Sequence, residues 1–297
     1  MNHTYTLTNE EITKVINKYK DYRIENTTVY MVFRAKIYNT TITIYTTNKV
    51  LLQGPNTDVI QDEINELLKI ENRETITQKK PKNMTILGTD EVGTGDYFGG
   101  IVVSGCLVPK DKIHILEDLG VKDSKKLTDQ YILKIAPLIK KEFLHSTIIL
   151  NNEKYNEITK IKDMNLNKIK AILHNKVIYQ MISKNPMYDA IIVDGFTNTK
   201  KYFEYLKNTK EVARNVELVE GGEDKYIAIA AASVIARYHF LIHFKEVSDS
   251  CGLNLPKGAG KPVEDFLYTI FKNNNEQILY RIAKLNFKTT SKVKDRL

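Results

Sequence analysis

Hydrophobic and polar positions fall into two patterns that meet near residue 85. In the first, Ile12, Val15, Ile16 and Tyr19 recur at helical spacing behind Thr8 and Glu11, whose separation is that of a capping box. Three runs rich in β-branched and aromatic residues follow, TTVYMVF, TITIYT and KVLLQ, punctuated by Asn39 and Gly54, and each reads as a strand. After Pro55 a second helix is predicted from Asn56 or Thr57, with Ile60, Ile64, Leu67 and Leu68 on one face. Helix, at least three strands and helix make a small curved sheet backed by helices. Nothing in this unit has a catalytic pattern, and its Tyr, Arg and Lys side chains suit either packing or a binding surface.

The stretch ENRETITQKKPKNMT, residues 71–85, is polar, basic and interrupted by Pro81, which is linker composition and marks a domain boundary. From Ile86 the runs lengthen. TIL leading into Gly88, GGIVVSGCLV (99–108), HSTIIL (145–150), DAIIVDG (189–195) and NVELVE (215–220) read as strands. Leu166, Ile169, Ile172, Leu173, Val177 and Ile178 mark a helix, and DKYIAIAAASVIARYHFLIHF (224–244) predicts a long one with a small Ala face for close packing on a sheet. Strands alternating with helices predict a three-layer α/β domain.

Composition narrows the class. The 297 residues suffice for two domains, 42% are hydrophobic and 27% charged, and no run looks long and apolar enough to span a bilayer. MNHTYTLTNEE lacks the regions of a signal peptide, and two cysteines, Cys106 and Cys251, are too few for a disulfide framework or a thiolate metal site. A cytoplasmic, monomeric protein with reduced thiols is expected. The net charge of +8 points to a polyanionic partner without naming one. Residues 1–85 hold 12 basic and 10 acidic side chains and the remainder 32 and 26, so most of the surplus lies in the second part, as substrate neutralisation or as ordinary solubilising charge.

Candidate chemistry is concentrated in GTDEVGTGDYFGG, residues 88–100, where Asp90, Glu91 and Asp96 sit among five glycines. Asp90 is expected to end one strand and Asp194 another, so both can meet above the sheet edge, where open α/β folds bind ligands. Carboxylates clustered without His or Cys suit hard divalent cations, Mg²⁺ or Mn²⁺, whose charge offsets the repulsion. Either aspartate alone reads more readily as turn chemistry. The glycines favour a ligand, since Gly93 and Gly95 let backbone approach it closely, and neither a P-loop ending nor G-x-G-x-x-G is present.

This segment resembles the signature of bacterial ribonuclease HIII, within the ribonuclease HII/HIII family. Thr94 in DEVGTG stands where the HII branch has Arg, and the likeness continues through KDSKKLT (122–128), MNLNKIKAILHN (164–175), VDGF (193–196), AAASVIARYHF (230–240) and LPKGAG (255–260). The resemblance implies a ribonuclease H-like three-layer catalytic domain at 86–297. It also implies a linker at 73–85 and a small TATA-binding-protein-like, substrate-binding α/β domain at 1–72. The activity implied is endonucleolytic hydrolysis of the RNA strand of RNA/DNA hybrids with Mg²⁺ or Mn²⁺, in which two metals orient water and stabilise the departing 3′-oxygen. Asp90, Glu91 and Asp194 map onto the family's metal-binding acids. The fourth lies ten residues before Ser233, at Glu223, with Asp224 a competitor that points about 100° away if the segment is helical.

The resemblance further implies that backbone at Gly93, Thr94 and Gly95 reads the ribose 2′-hydroxyl. Lys122, Lys125 and Lys126 are candidate phosphate contacts or a solvated loop, and Ser124 a phosphate contact or a turn cap. Asp96 is expected to serve the loop and not a metal, His174 to be packed or partly exposed and no proton shuttle, and Arg237 and Tyr238 to pack or bond within their helix. KTTSKVKDR (288–296) reads as a frayed tail or a basic arm. Rival functions are cleavage at single embedded ribonucleotides, against which Thr94 and the first domain argue, a catalytically silent hybrid-binding protein, and a metal-dependent hydrolase of other substrates.

Overall fold

The computed structural model describes residues 2–68, 84–121 and 127–297. The chain divides into two compact units, Met1–Gln78 and Lys79–Leu297. The first contains β1 (Asn2–Thr6), α1 (Asn9–Tyr19), β2 (Met31–Ile37), β3 (Thr40–Tyr45), β4 (Lys49–Gln53) and α2 (Thr57–Leu67). The strands form one antiparallel sheet in the order β1-β4-β3-β2, so a strand precedes the helix with which the sequence pattern began. Five residues paired along β4 supply what their own periodicity does not. The Thr8 capping box forms, with Thr8 N–H donating to Glu11 Oε2 at 2.8 Å. Alternation then turns Ile42, Ile44, Val50 and Leu52 inward, where they bury against Val15, Tyr19, Ile60 and Ile64 of the two helices.

The second unit runs β5 (Ile86–Val92), β6 (Ile101–Val108), α3 (Ile113–Asp118), α4 (Asp129–Glu142), β7 (Leu144–Leu150), α5 (Asn152–Ile158) and α6 (Leu166–Ile182). It continues with β8 (Ala190–Asp194), α7 (Thr199–Tyr205), β9 (Val216–Val219), α8 (Gly222–Lys225), α9 (Ile227–Cys251), α10 (Lys261–Lys272), α11 (Leu279–Ile282) and α12 (Lys288–Lys294). The sheet order is β7-β6-β5-β8-β9: β5 pairs antiparallel with β6 and parallel with β8, and β9 extends the parallel part. Helices cover both faces. Ile86, Cys106, Val108, Ile192 and Val219 bury against α4 and α9 on one side, while Leu87, Ile101, Val103, Ile191 and Val193 bury against α6 and α7 on the other. A third cluster joins α10, α11 and α12 to Tyr97, Phe98, Phe240 and Phe244.

Four expectations change here. Asp90 does not end β5, which continues through Val92 opposite β6; what stops beside it is the pairing with β8, at Thr89–Val193. The long helix is two: Tyr226, extended at φ −124° and ψ 114°, interrupts it, and α9 then runs to Cys251, where Gly252 at φ 66° caps it. Among the described residues α9 is long and apolar enough to cross a membrane, contrary to the first reading of the sequence, but Ala228 through Ala232 and Val234 through Ala236 are buried in the core of this unit. Residues 288–294 are no frayed tail, because Val293 is fully buried and ties α12 into the third cluster.

Close packing of α9 on β5 depends on Gly88. A Cβ there would lie 2.4 Å from the Ala228 carbonyl carbon and 2.5 Å from Ile229 N, both rigid backbone. Gly88→Val should therefore lower the unfolding free energy by about 3 kcal/mol, measured by urea titration; an unchanged midpoint would contradict the contact.

Candidate active site

Strand alternation decides where the acids go. On β5, Ile86, Gly88 and Asp90 face α9, while Leu87, Thr89 and Glu91 face α6. Asp90 and Glu91, adjacent in sequence, thus leave the strand on opposite sides of the sheet. On β8, Ile192 shares the α9 face, and so does Asp194 two residues on. Asp90 and Asp194 each follow the last paired residues of neighbouring parallel strands, on the same face.

Asp90 is 6% exposed. Burial first, then repulsion from Glu91 and Asp194, holds its carboxyl well above the usual carboxylate range, against hydrogen bonds from Ser233 of α9 and the Glu91 backbone. The Glu91 N–H donates to Asp90 Oδ1 at 2.7 Å. The backbone N–H of Gly222, at the start of α8, donates to Asp194 Oδ1 at 2.7 Å, which brings α8 against the end of β8. The next residue, Glu223, is buried, and Asp224 is exposed.

Glu91 has different company. One carboxylate oxygen pairs with Lys170 Nζ and the other lies 2.7 Å from His174 Nε2, whose Nδ1 is 2.8 Å from Thr89 Oγ1. Phe196, just past β8, stacks on His174 at 5.4 Å and lies 4.1 Å from Lys170 Nζ. Burial alone would raise the Glu91 carboxyl, but the His174 hydrogen bond and the charges of His174 and Lys170 hold it below the ordinary value. Lys170 and His174 were not among the residues expected at the site. Their signal was a basic pair four apart on one helical face, inside a segment whose other face is apolar.

The glycines divide by role. Gly93 has φ +94°, and a Cβ there would lie 2.4 Å from the Gly100 carbonyl oxygen and 2.8 Å from the Phe240 ring, so the fold demands it. Gly95 is exposed, with nothing within 4 Å of a built Cβ. Asp96 serves the loop: Oδ1 accepts from the Gly258 N–H at 2.6 Å. Lys122, Ser124, Lys125 and Lys126 lie outside the described residues. Arg237 leaves its own helix, donating to Asp129 Oδ1 at 2.7 Å and to the Leu127 carbonyl at 2.9 Å, because the segment that enters α4 offers it acceptors that helical neighbours cannot. Tyr238 receives Lys140 over its ring at 5.1 Å.

Among the described residues, no group of three acids, histidines or cysteines forms a ready-made cage for a metal. The donors nevertheless fit Mg²⁺ or Mn²⁺: they are hard oxygens, and the charge on Asp90 is penalised by burial and by two neighbouring acids. Mg²⁺ ordinarily binds through one or two carboxylates, waters and substrate phosphates, so Asp90 with Asp194 is a sufficient start.

The raised Asp90 carboxyl fixes the sign of a stability change. The folded chain keeps this proton to a higher pH than the unfolded chain, so stability falls as pH rises between the two values. In chelator near neutral pH, Asp90→Asn should raise the melting temperature by roughly 2–6 °C. The gain should fade as pH approaches the unfolded value near about 4. Scanning calorimetry with and without Mg²⁺ reads both effects, and a less stable variant in chelator would refute the repulsion argument.

Comparison with known proteins adds identity to this geometry. Residues 87–290 match the family model for ribonuclease HII, and residues 2–80 match a domain of unknown function, DUF3378. A ribonuclease HIII from Streptococcus mutans is 37% identical, with 96% of this chain and 95% of the relative covered; one from Phytoplasma mali is 39% identical, with 98% of each covered. The crystal structure of Bst-RNase HIII in complex with Mn²⁺ superposes with a TM-score of 0.71 at 31% identity, covering 100% of this chain and 99% of that one. With its sheet of five strands, its acids on the β5–β8 edge and these relatives along its whole length, the chain belongs to the ribonuclease HIII branch of the ribonuclease HII/HIII family.

Proposed function

We propose that this metal-dependent endoribonuclease of the ribonuclease H type cuts the RNA strand of RNA/DNA hybrids with Asp90, Glu91, Asp194 and Glu223 as its metal-holding acids. The products would carry 3′-hydroxyl and 5′-phosphate ends. The observation that carries this reading is the meeting of Asp90 and Asp194 on one face where the β5–β8 ladder ends, with the Asp90 charge lacking a counter-ion. Glu223, buried beside Asp194, supports its choice over exposed Asp224.

When bound, Mg²⁺ or Mn²⁺ supplies an activated water and charge to stabilise the leaving oxygen. The chain's own residues do the rest. Asp90 and Asp194, on one face of the sheet, would hold the cation. Lys170 and His174 hold Glu91 in one orientation and keep it ionised, ready to act as a ligand. Gly95 leaves its backbone open to the ribose, and the lysines of KDSKKLT are the first candidates for phosphate. The unit at 1–72, joined through 73–85 to the catalytic domain at 86–297, would add substrate affinity. The working form is proposed to be a cytoplasmic monomer.

Labelled RNA/DNA, RNA/RNA and DNA/DNA duplexes, with Mg²⁺, Mn²⁺ or chelator, test the activity. Only the hybrid should be cut, and only with metal; cutting of all-DNA duplex would favour a general nuclease. A duplex with one ribonucleotide should be a poorer substrate than one with a run of four or more. Asp194→Asn should lower kcat by about 10³-fold or more while hybrid binding persists. Gly95→Ala should keep stability within about 0.5 kcal/mol yet raise KM for the hybrid about tenfold, since its methyl meets only substrate. Unaltered KM would remove Gly95 from the contact.

A further inference from the structure

Lys284 is a lysine with no exposed surface, and the acids of the site do not use it. It lies just past α11, where Ala283 bridges Phe98 in antiparallel fashion. Its backbone N–H donates to the Tyr97 carbonyl at 2.9 Å, and the Gly99 N–H donates to Ile282. Its ammonium reaches further into the glycine loop, donating to the Asp96 carbonyl at 2.7 Å and to the Gly99 carbonyl. Asn152, at the start of α5, donates to the same Gly99 oxygen at 2.9 Å. On the other side, Asn156 binds the Ala283 carbonyl at 2.8 Å and the Leu285 N–H at 3.0 Å, so the segment holding Lys284 is itself anchored. Asp96 closes the turn that contains Gly95, through its N–H to the Gly93 carbonyl.

A buried ammonium is costly, and a structural role alone would be served by an apolar side chain. Here the charge is aimed at two carbonyls of one loop, and hydrogen bonds from an ionised donor are about twice as strong as neutral ones. We propose that Lys284 is a positioning residue for ribose recognition: its ammonium gathers the Asp96 and Gly99 carbonyls behind the loop and so holds Gly93–Gly95 in the conformation that reads RNA. The inference rests on the reading of that loop given under Proposed function.

The device is responsive to pH. Burial pulls the Lys284 ammonium down to about 7, with the Asp96 charge acting the other way. Among the described residues, His243 of α9 also faces it, and burial and the Lys284 charge hold its imidazole below the ordinary value while Glu246 raises it. Deprotonation near neutrality leaves a weaker neutral donor behind the loop. Stability moves oppositely, because the folded chain releases this proton at lower pH than the unfolded chain and so gains stability as pH rises through about 7.

Full-length protein in chelator, titrated by fluorescence anisotropy with RNA/DNA and DNA/DNA duplexes of one sequence, separates these effects. The ratio of the two affinities reads the loop, since phosphate contacts are common to both. In wild type the preference for hybrid should fall about tenfold between about pH 6 and pH 8.5, the equivalent of one lost charge-assisted hydrogen bond. Lys284→Met should show the low preference at every pH. Its melting temperature relative to wild type should be highest at low pH, as linkage requires once this proton is removed, and the missing pH step in the affinity ratio is the readout a merely structural role would not produce. Asn152→Ala, which keeps the ammonium, should retain the pH step. A wild-type preference indifferent to pH overturns the inference, as does a folded Lys284→Met that keeps the wild-type profile. If the methionine variant does not fold, the wild-type profile decides alone. Absence of hybrid preference in wild type at all pH values would instead sink the loop reading, and this inference with it.

Discussion

Two acids in succession on a strand cannot both face the same side of the sheet, and the site follows from that constraint. Asp90 is sent to the α9 face, where Asp194 arrives from the parallel neighbour and burial makes the combined charge expensive. Glu91 is sent to the α6 face, where Lys170 and His174 meet it. One carboxylate is left wanting a cation and the other already has two basic partners. The pair is one motif in the sequence and two electrostatic environments in the fold.

The closeness of α9 to β5 makes the first environment possible. Gly88 lets the helix backbone come against the strand, and Ser233, further along the same helix, reaches Asp90. The break at Tyr226 matters equally, because a continuous helix would not place a separate short turn, α8, with its first N–H on Asp194 and Glu223 buried next to it. The small residues of 228–236 therefore serve the site by allowing an approach, without carrying chemistry themselves.

The glycine loop is a second construction, built from behind. Its hydrogen-bond partners are Gly258, Lys284 and Asn152, which donate to it, and the Ile282 carbonyl, which accepts from Gly99, on three separate later segments. Gly93 is required by this packing, whereas among the described residues nothing lies within 4 Å of a Cβ built on Gly95.

Much was legible in the order of residues alone. Local periodicity identified the strands at 99–108, 145–150 and 189–195 and the capping box at Thr8, because these signals depend on neighbours a few positions away. The motif DEVGTG, with VDGF and AAASVIARYHF, identified the family, because chemistry constrains residue types at set spacings. Tertiary structure alone decided the rest. β1 has its partner in β4, some 45 residues on, so nothing local announced it. Lys170 and His174 carry no mark of Glu91 in their own helix, and Arg237 none of Asp129 in another. The ammonium of Lys284 looked like any basic residue of the C-terminal region until the sheet and helices closed over it. Spacing along the chain encodes which groups are present; burial and long-range contact determine which of them are charged, partnered or exposed.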